Sequence, residues 1–174
     1  MLRKIFMMLT LLLFSTSLST AEIYRIDTAH TQIHFSIAHL KVFKVRGNFN
    51  DFVGTVDIDA PGETLKAAEA KIRVDSIDTG NQKREKHLLS DDFFAADKYP
   101  EIHFVTKQIT GSGADITVVG VLTIRGISKE VTLNGEFLGT VMGPMGNSRA
   151  GFEATGIINR NDFGLGWNRA METG

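Results

Sequence analysis

The regular alternation of apolar and polar residues along most of the chain is the feature that most restricts its fold. Within residues 31–40, Ile33, Phe35 and Ile37 fall on one face of a strand, and Gln32, His34 and Ser36 fall on the other. A period of two with one apolar face is typical of a β-strand that is buried on one side. The pattern recurs at Phe52, Val56 and Ile58; Ala70, Ile72 and Val74; Ile102 and Phe104; Ile116, Val118, Leu122 and Ile124; Val131, Leu133 and Phe137; and Phe152, Ala154 and Ile158. The chain is therefore predicted to be all-β.

Short links rich in glycine and proline separate these segments. They lie at residues 59–62, 111–113, 125–128 and 142–146. Links of this length join neighbouring antiparallel strands, and about eight such strands most economically close into an up-and-down barrel. A two-layer sandwich has the same sequence pattern and remains an alternative at this stage.

Residues 79–96 interrupt the alternation. The stretch from Asn81 to Leu89 consists of good helix formers, and Ser90 followed by Asp91 and Asp92 has the composition of a second helix start. Phe93 and Phe94 then add apolar bulk. We predict two short helices that cover one end of the barrel.

The N-terminus predicts export. Arg3 and Lys4 precede an apolar run over residues 5–14, and small residues at Ser19 and Ala21 follow it. This order is typical of a secretory signal peptide, and the run is about half the length of a membrane span. Residues 1–21 are the predicted signal peptide and residues 22–174 a single domain. A periplasmic location is expected first and secretion second.

Composition excludes several classes of function. The chain has no cysteine and a formal net charge of −1, so thiol chemistry is excluded and nucleic-acid binding, which needs a basic face, is not expected. The polar strand faces carry charges such as Lys71, Arg73 and Asp75. These cannot face hydrocarbon, which predicts a soluble barrel with its apolar face inward and, after signal cleavage, no integral membrane segment.

The inward face is the predicted binding site for an apolar ligand. Gly54, Gly120, Gly135 and Gly156 share that face with bulky residues, and we expect them to leave room in the lumen, so that leucine at Gly135 would reduce ligand capacity more than it harms folding. Glycines that allow strands to bend are the alternative. The predicted ligand-binding residues are Ile33, Phe35, Ile37, Phe52, Gly54, Val56, Ile72, Val74, Phe104, Gly120, Leu122, Ile124, Leu133, Gly135, Phe137, Phe152 and Ile158.

Catalytic and metal-binding signals are weak. His30 and His34 would lie roughly 13 Å apart on a strand, too far to share a metal. Asp27, His30 and Ser36 lack the framing motif of a catalytic triad. No catalytic residue, metal site or cofactor is predicted. Arg84 and His87, in a basic stretch of the helical insert, are weaker candidates for contact with an anionic head group.

Several motifs in the same order resemble one known family. Residues 24–35 (YRIDTAHTQIHF), 76–81 (SIDTGN), 122–126 (LTIRG) and 159–164 (NRNDFG), with Arg84, His87 and residues 98–100 (KYP), are similar to the YceI-like family of periplasmic polyisoprenoid-binding proteins. The resemblance extends over about residues 23–174.

The resemblance implies a lipocalin-like eight-stranded barrel that holds a long isoprenoid or a similar lipid. In that family a further strand usually follows the position of Ala170, so the final C-terminal strand is predicted to be missing here and the lumen to be partly open along one side. The expected function is non-catalytic carriage of a long apolar ligand. A lipid-modifying enzyme and a ligand-free structural or stress-protective barrel are the alternatives.

Overall fold

The computed structural model describes residues 21–39, 43–59, 64–144 and 146–166. This part of the chain forms ten strands and one α-helix. The strands are β1 (Ala21–Arg25), β2 (Ile33–His39), β3 (Phe43–Phe49), β4 (Phe52–Asp59), β5 (Thr64–Arg73), β6 (Ile77–Asp78), β7 (Glu101–Ser112), β8 (Asp115–Ile124), β9 (Ile127–Met142) and β10 (Ser148–Thr155). The helix α1 is Gln82–Leu89, and two 3₁₀ helices are Val74–Ser76 and Arg160–Phe163.

Seven strands form a nearly closed antiparallel barrel in the order β1-β4-β5-β7-β8-β9-β10. Along β8 buried residues alternate with more exposed ones from Ile116 to Ile124, because successive side chains of a strand point to opposite faces. The all-β, antiparallel fold expected from the alternation is confirmed. The strand count differs from about eight, because the other three strands form a separate sheet.

The two edge strands of the barrel, β1 and β10, meet at a seam. Every neighbouring pair in the seven-stranded sheet is antiparallel, so the first and seventh strands run in the same direction. Side chains bridge them: Tyr24 Oη lies 2.9 Å from Ser148 Oγ, and an Arg149 nitrogen lies 3.3 Å from Asp27 Oδ2. In the described ranges no strand follows β10, and no ladder joins β10 to β1.

The smaller sheet has the order β2-β3-β6 and packs its apolar face against the barrel core. It contains the segment whose alternation is clearest in the sequence, Ile33 to His39. Ile33, Phe35 and Ile37, predicted to bind ligand, therefore lie in the smaller sheet and not in the seven-stranded barrel, because an alternating strand can belong to either sheet. Ile33 and Phe35 pack against the buried core, whereas Ile37 is 40% exposed.

The helical insert contains a single helix. Asn81 begins α1, since its side chain accepts a hydrogen bond from the Arg84 N–H at 3.0 Å. Ser90 ends the helix, its hydroxyl donating to the His87 carbonyl at 2.7 Å. The predicted second helix is absent from residues 91–94, which form turns, because the Ser90 carbonyl accepts the N–H groups of Phe93 and Ala95 at 3.0 and 2.9 Å.

Buried apolar residues form two clusters. The capped-end cluster lies beside α1, the small sheet and the second 3₁₀ helix, and comprises Phe49, Phe52, Ile72, Val74, Ile77, Ile102, Leu122, Ile124, Phe163 and Leu165. The far-end cluster comprises Val56, Ile58, Leu65, Ile116 and Val118. Leu88, Leu89, Phe93 and Phe94 pack on the capped-end cluster, so the insert covers that end as predicted. Of the described helices, none is long and apolar enough to cross a membrane.

Candidate functional site

The interior of the barrel is lined by apolar side chains from one end to the other. Phe104 packs against both the capped-end and the far-end cluster and so joins them. No polar or charged residue in the described part of the chain is buried. Burying an apolar surface favours apolar contents, and an unpaired polar group there would be costly. The arrangement suits binding through the hydrophobic effect.

Most of the predicted ligand-binding residues face this interior. Phe52, Ile72, Val74, Leu122 and Ile124 belong to the capped-end cluster, although Val74 lies in a 3₁₀ helix and not in the strand predicted for it. Val56 belongs to the far-end cluster, where Leu133 and Phe137 pack. Phe152 and Ile158 are 38% and 41% exposed, because β10 is an edge strand and residues 156–159 follow it outside any strand.

A small cavity lies in the middle and far part of the interior. Its volume is about 50 Å³, and its walls include Leu65, Phe104, Val118, Leu133, Phe152 and Ala154. The half-exposed Phe152 and the exposed Ala154 place one wall at the surface beside the seam. A dry cavity that holds benzene measures about 150 Å³. A ligand with a long chain must therefore displace interior side chains.

Phe104 is the side chain best placed to control this space. A Cβ built on Gly120 would lie 2.5 Å from Phe104 Cε2 and 2.8 Å from the Val105 carbonyl oxygen. The glycine lets the ring lie directly against the β8 backbone. When it lies there, the ring fills the interior between the two clusters.

The glycines on the inward face serve close packing, which differs from the expectation that they leave empty space. At Gly54, a Cβ would lie 2.6 Å from Ile26 Cδ1 and would collide with the Glu69 carbonyl oxygen. At Gly135, it would collide with the Glu153 carbonyl oxygen and lie 3.1 Å from the Ala154 Cα. Neighbouring atoms thus occupy the space that a side chain would need. Gly135 nevertheless borders the cavity.

Ten buried residues were not among the predicted site residues, and they are Phe49, Ile58, Leu65, Ile77, Ala95, Ile102, Ile116, Val118, Phe163 and Leu165. Phe49, Leu65, Phe163 and Leu165 are each no more than 7% exposed. Phe49 and Leu65 lie at strand ends, where alternation over a few residues gives little signal. Phe163 is part of the motif at residues 159–164, and that motif was the available sign. The Asn159 side chain accepts the Asn161 N–H at 3.1 Å and starts the 3₁₀ helix.

The candidate head-group residues Arg84 and His87 already have protein partners. A guanidinium nitrogen of Arg84 donates to the Thr79 carbonyl at 3.4 Å. His87 Nε2 lies 3.2 Å from Asp92 Oδ2, and its ring stacks edge-on against Phe93 with centroids 5.1 Å apart. Both contacts hold the insert together. Neither residue lines the apolar cavity.

Glu85 anchors the insert to the segment that precedes it. Its Oε1 accepts the N–H groups of Thr79 and Asn81 at 2.7 and 3.0 Å and the Thr79 hydroxyl at 3.1 Å. The backbone hydrogen bond from Thr79, followed by that from Asn81, lowers the pKa of Glu85 below its ordinary value of 4.5. The charged carboxylate therefore stabilises the folded state above that value.

We expect Glu85→Gln to destabilise the protein at neutral pH and to have progressively less effect in acid. Because the folded-state pKa is lowered, the contribution is complete above the ordinary value and is lost as the pH falls through the folded-state pKa. The measurement is the difference in the free energy of unfolding between wild type and variant from pH 7 to pH 3. A difference that stays constant across this range would contradict the role of the charge.

The histidines do not converge on a metal or a triad. Asp27 Oδ2 lies 3.0 Å from His30 Nδ1, and this hydrogen bond is the main cause that lowers the pKa of Asp27. Arg149 also pairs with Asp27, and the structure shows no contact of this pair with Ser36. Three or more candidate ligands are nowhere grouped within the described residues.

Comparison with known proteins agrees with this architecture. The model of the YceI-like domain matches residues 24–174. The UPF0312 protein SAS2572 of Staphylococcus aureus is 42% identical over 152 residues, which cover 87% of this chain and 86% of the relative. The crystal structure of the Campylobacter jejuni YCEI protein is 38% identical, with a TM-score of 0.68 over 81% of this chain and 83% of that chain.

A more distant structure has the same fold. That of Burkholderia cenocepacia BcnA is 24% identical, with a TM-score of 0.72 over 82% of this chain and 86% of that chain. The match to the family model covers both the barrel and its helical insert. The chain belongs to the YceI-like family.

Proposed function

We propose that the protein binds and carries a long apolar ligand, an isoprenoid or a similar lipid, without performing chemistry on it. The observation that carries this proposal is the apolar interior, in which Phe104 joins two clusters and borders a cavity next to the seam. Each buried methylene contributes about 0.8 kcal/mol. Several isoprene units would supply useful affinity with no polar anchor.

Loading requires the interior to expand. The cavity of about 50 Å³ is too small for a chain of several isoprene units, so half-buried side chains must move. Phe104 and Phe152 are the two rings in its walls. Phe152 is on the edge strand β10, where few neighbours oppose its movement.

The test is organic extraction of the purified protein followed by mass spectrometry. We expect one long-chain species at close to one molecule per chain, and rebinding of that species by the extracted protein. Gly120→Ala is expected to alter the rebinding affinity, because the added Cβ forces both the Phe104 ring and the Val105 carbonyl oxygen to move. Gly151→Ala is the matched control, since the nearest side-chain atom there is 3.4 Å away. An empty protein without lipid affinity would contradict the proposal.

The small cavity also supports a second candidate, a barrel with a filled core and a structural or protective role. The same extraction separates the two, since a filled core neither retains nor rebinds lipid. A lipid-modifying enzyme would need a polar group among the buried side chains. Within the described ranges no polar residue is buried as a whole, and the buried polar side-chain atom without a hydrogen-bond partner is Asp57 Oδ1. Turnover of the extracted lipid by the purified protein would reinstate that alternative.

We further propose export to the periplasm. Support comes from the order of the N-terminal residues, with the apolar run over residues 5–14 ahead of Ser19 and Ala21. Cleavage after Ala21 would leave the pairs from Glu22↔Ile58 to Arg25↔Thr55 between β1 and β4. We expect the intact mass of the exported protein to begin at Glu22. A mass that includes Met1 in the periplasmic fraction would contradict cleavage.

A further inference from the structure

A second cavity lies outside the apolar interior and differs from it in chemistry. Its volume is about 230 Å³, and it lies between residues 28–32 and the ends of β2 and β3. The polar side chains that line it are Thr28, Thr31, Gln32, His34, Asn48 and Asn50. Ile33, Phe49 and Phe52 form its apolar wall, and these three residues also belong to, or pack on, the capped-end cluster.

Hydrogen bonds fix two amides of this cavity in place. His34 Nδ1 lies 2.9 Å from Asn48 Oδ1, and His34 Nε2 lies 2.8 Å from Gln32 Oε1. A neutral imidazole donates through one nitrogen and accepts through the other. In the structure both amides turn an oxygen to the ring. With a neutral imidazole one of the two amides must be turned over so that its NH₂ donates to the ring, and the tautomer decides which one.

This pairing leaves one donor and one acceptor unused. The amide that accepts from His34 keeps its NH₂, and the amide that donates keeps its carbonyl. Neither amide has another hydrogen-bond partner within the described residues. A hydroxyl group both donates and accepts, so it matches the two free groups.

The charges around the cavity disfavour an anion. No Asp, Glu, Lys or Arg lines it, and the acids next to its lining are Asp27, Asp51 and Asp78, the last paired in register with Asn48. Two of the neighbouring arginines are paired with acids, and Arg46, two residues before Asn48 on β3, lies outside the lining. Arg149 lies 3.3 Å from Asp27 and Arg73 lies 2.7 Å from Asp75. A phosphate would therefore find no lysine or arginine in the lining to pair with.

We propose that this cavity binds an uncharged, hydroxyl-bearing group. The group is either the polar end of the lipid held in the barrel, which rests on the function proposed above, or a free polyol. The shared wall of Phe49 and Phe52 is where a lipid would pass from the capped-end cluster into the cavity. Arg84 and His87 lie outside the lining, so the polar end is recognised by amides and not by the basic insert.

The experiment compares four probes on the full exported chain: farnesol, the matching hydrocarbon farnesene, farnesyl diphosphate and glycerol. Affinity is measured by equilibrium dialysis. The ring signals of the five histidines are followed by NMR, with His34 assigned from His34→Gln. We expect farnesol to bind about five-fold more tightly than farnesene, as one additional hydrogen bond would give, and to shift the His34 signal.

Asn48→Leu should abolish the preference for farnesol while farnesene binds as before. Asn134→Leu, which removes an exposed amide from the barrel strand β9, should retain the preference. Gln32→Leu, in the exposed segment before β2, is the second variant if Asn48→Leu fails to fold. The same loss of preference is expected from it.

The outcomes separate the two proposals. If farnesol and farnesene both bind but with equal affinity, or if the diphosphate binds most tightly, this inference is overturned and the lipid carrier stands. If neither farnesol nor farnesene binds, the proposed lipid-carrier function fails. If glycerol then shifts the His34 signal and Asn48→Leu abolishes that shift, the cavity is assigned to a free polyol. If no probe shifts the His34 signal, the cavity has no such ligand.

Discussion

Phe163→Ala is expected to lower the free energy of unfolding by about 3–5 kcal/mol, the usual cost of truncating a fully buried phenylalanine. Phe163 is 1% exposed and belongs to the capped-end cluster together with Leu165. It lies in the 3₁₀ helix Arg160–Phe163, which Gly164 ends with a left-handed φ of 72°. A loss of this size is a large part of the about 5–15 kcal/mol that typically stabilises a domain.

Ile157→Ala is the matched control for this variant. Ile157 is fully exposed and lies six positions before Phe163, so its truncation should change stability by less than about 0.5 kcal/mol. Both values come from denaturant midpoints at constant m-value. If the two variants lose the same amount, Phe163 does not close the capped end as its burial indicates.

Gly135→Ala is expected to destabilise the barrel by about 1–3 kcal/mol, the range for overpacking. The new Cβ would collide with the Glu153 carbonyl oxygen, a backbone atom of the neighbouring strand that cannot rotate away. Relief requires β9 and β10 to separate where Gly135 pairs with Ala154. Because the cavity also borders this glycine, ligand binding should weaken with the loss of the strand pairing.

Gly151→Ala tests the same strand pair at a position that has room. A Cβ there would meet Leu138 Cβ at 3.4 Å, an ordinary contact, and the substitution should be neutral or stabilise by about 0.4–1 kcal/mol through the unfolded chain. Thermal unfolding of both variants is the measurement. Equal melting temperatures would show that the β9–β10 separation adjusts freely at Gly135.

Alternation predicted the inward faces of the barrel strands well. The buried residues Ile116, Val118, Leu122 and Ile124 all fall on one parity of β8, as the sequence indicates. The prediction succeeded because apolar and polar residues alternate in any strand that has one face buried and one face in solvent, whichever strands lie beside it.

The same rule could not tell to which sheet a strand belongs. β2 alternates as clearly as β8, yet it lies in the three-stranded sheet. The alternation shows which face of a strand is buried, but it does not show which strand is its neighbour. At Ser90 the composition suits both ends of a helix. In the structure the Ser90 hydroxyl donates a hydrogen bond to the His87 carbonyl, so Ser90 ends α1 and does not begin a second helix.

The glycines show a further limit of sequence analysis. A glycine on an inward face has no side chain, which is compatible with an empty lumen and with a neighbour pressed against the backbone. At Gly120 the neighbour is Phe104, which is 16 residues away in the sequence and adjacent only through the β7–β8 register, where Thr106 pairs with Gly120. Such contacts are set by register and bulges and are not visible in a local pattern.

The edge strands β1 and β10 run in the same direction, and within the described residues no ladder of backbone hydrogen bonds joins them. Opening the barrel between any two paired strands breaks a ladder of backbone hydrogen bonds. Among the described residues, the recorded contacts across the seam are the side-chain pairs Tyr24–Ser148 and Asp27–Arg149, and an exposed ion pair contributes only about 0.2–1 kcal/mol. We therefore expect the wall to widen first along the seam, while the six strand pairings stay intact.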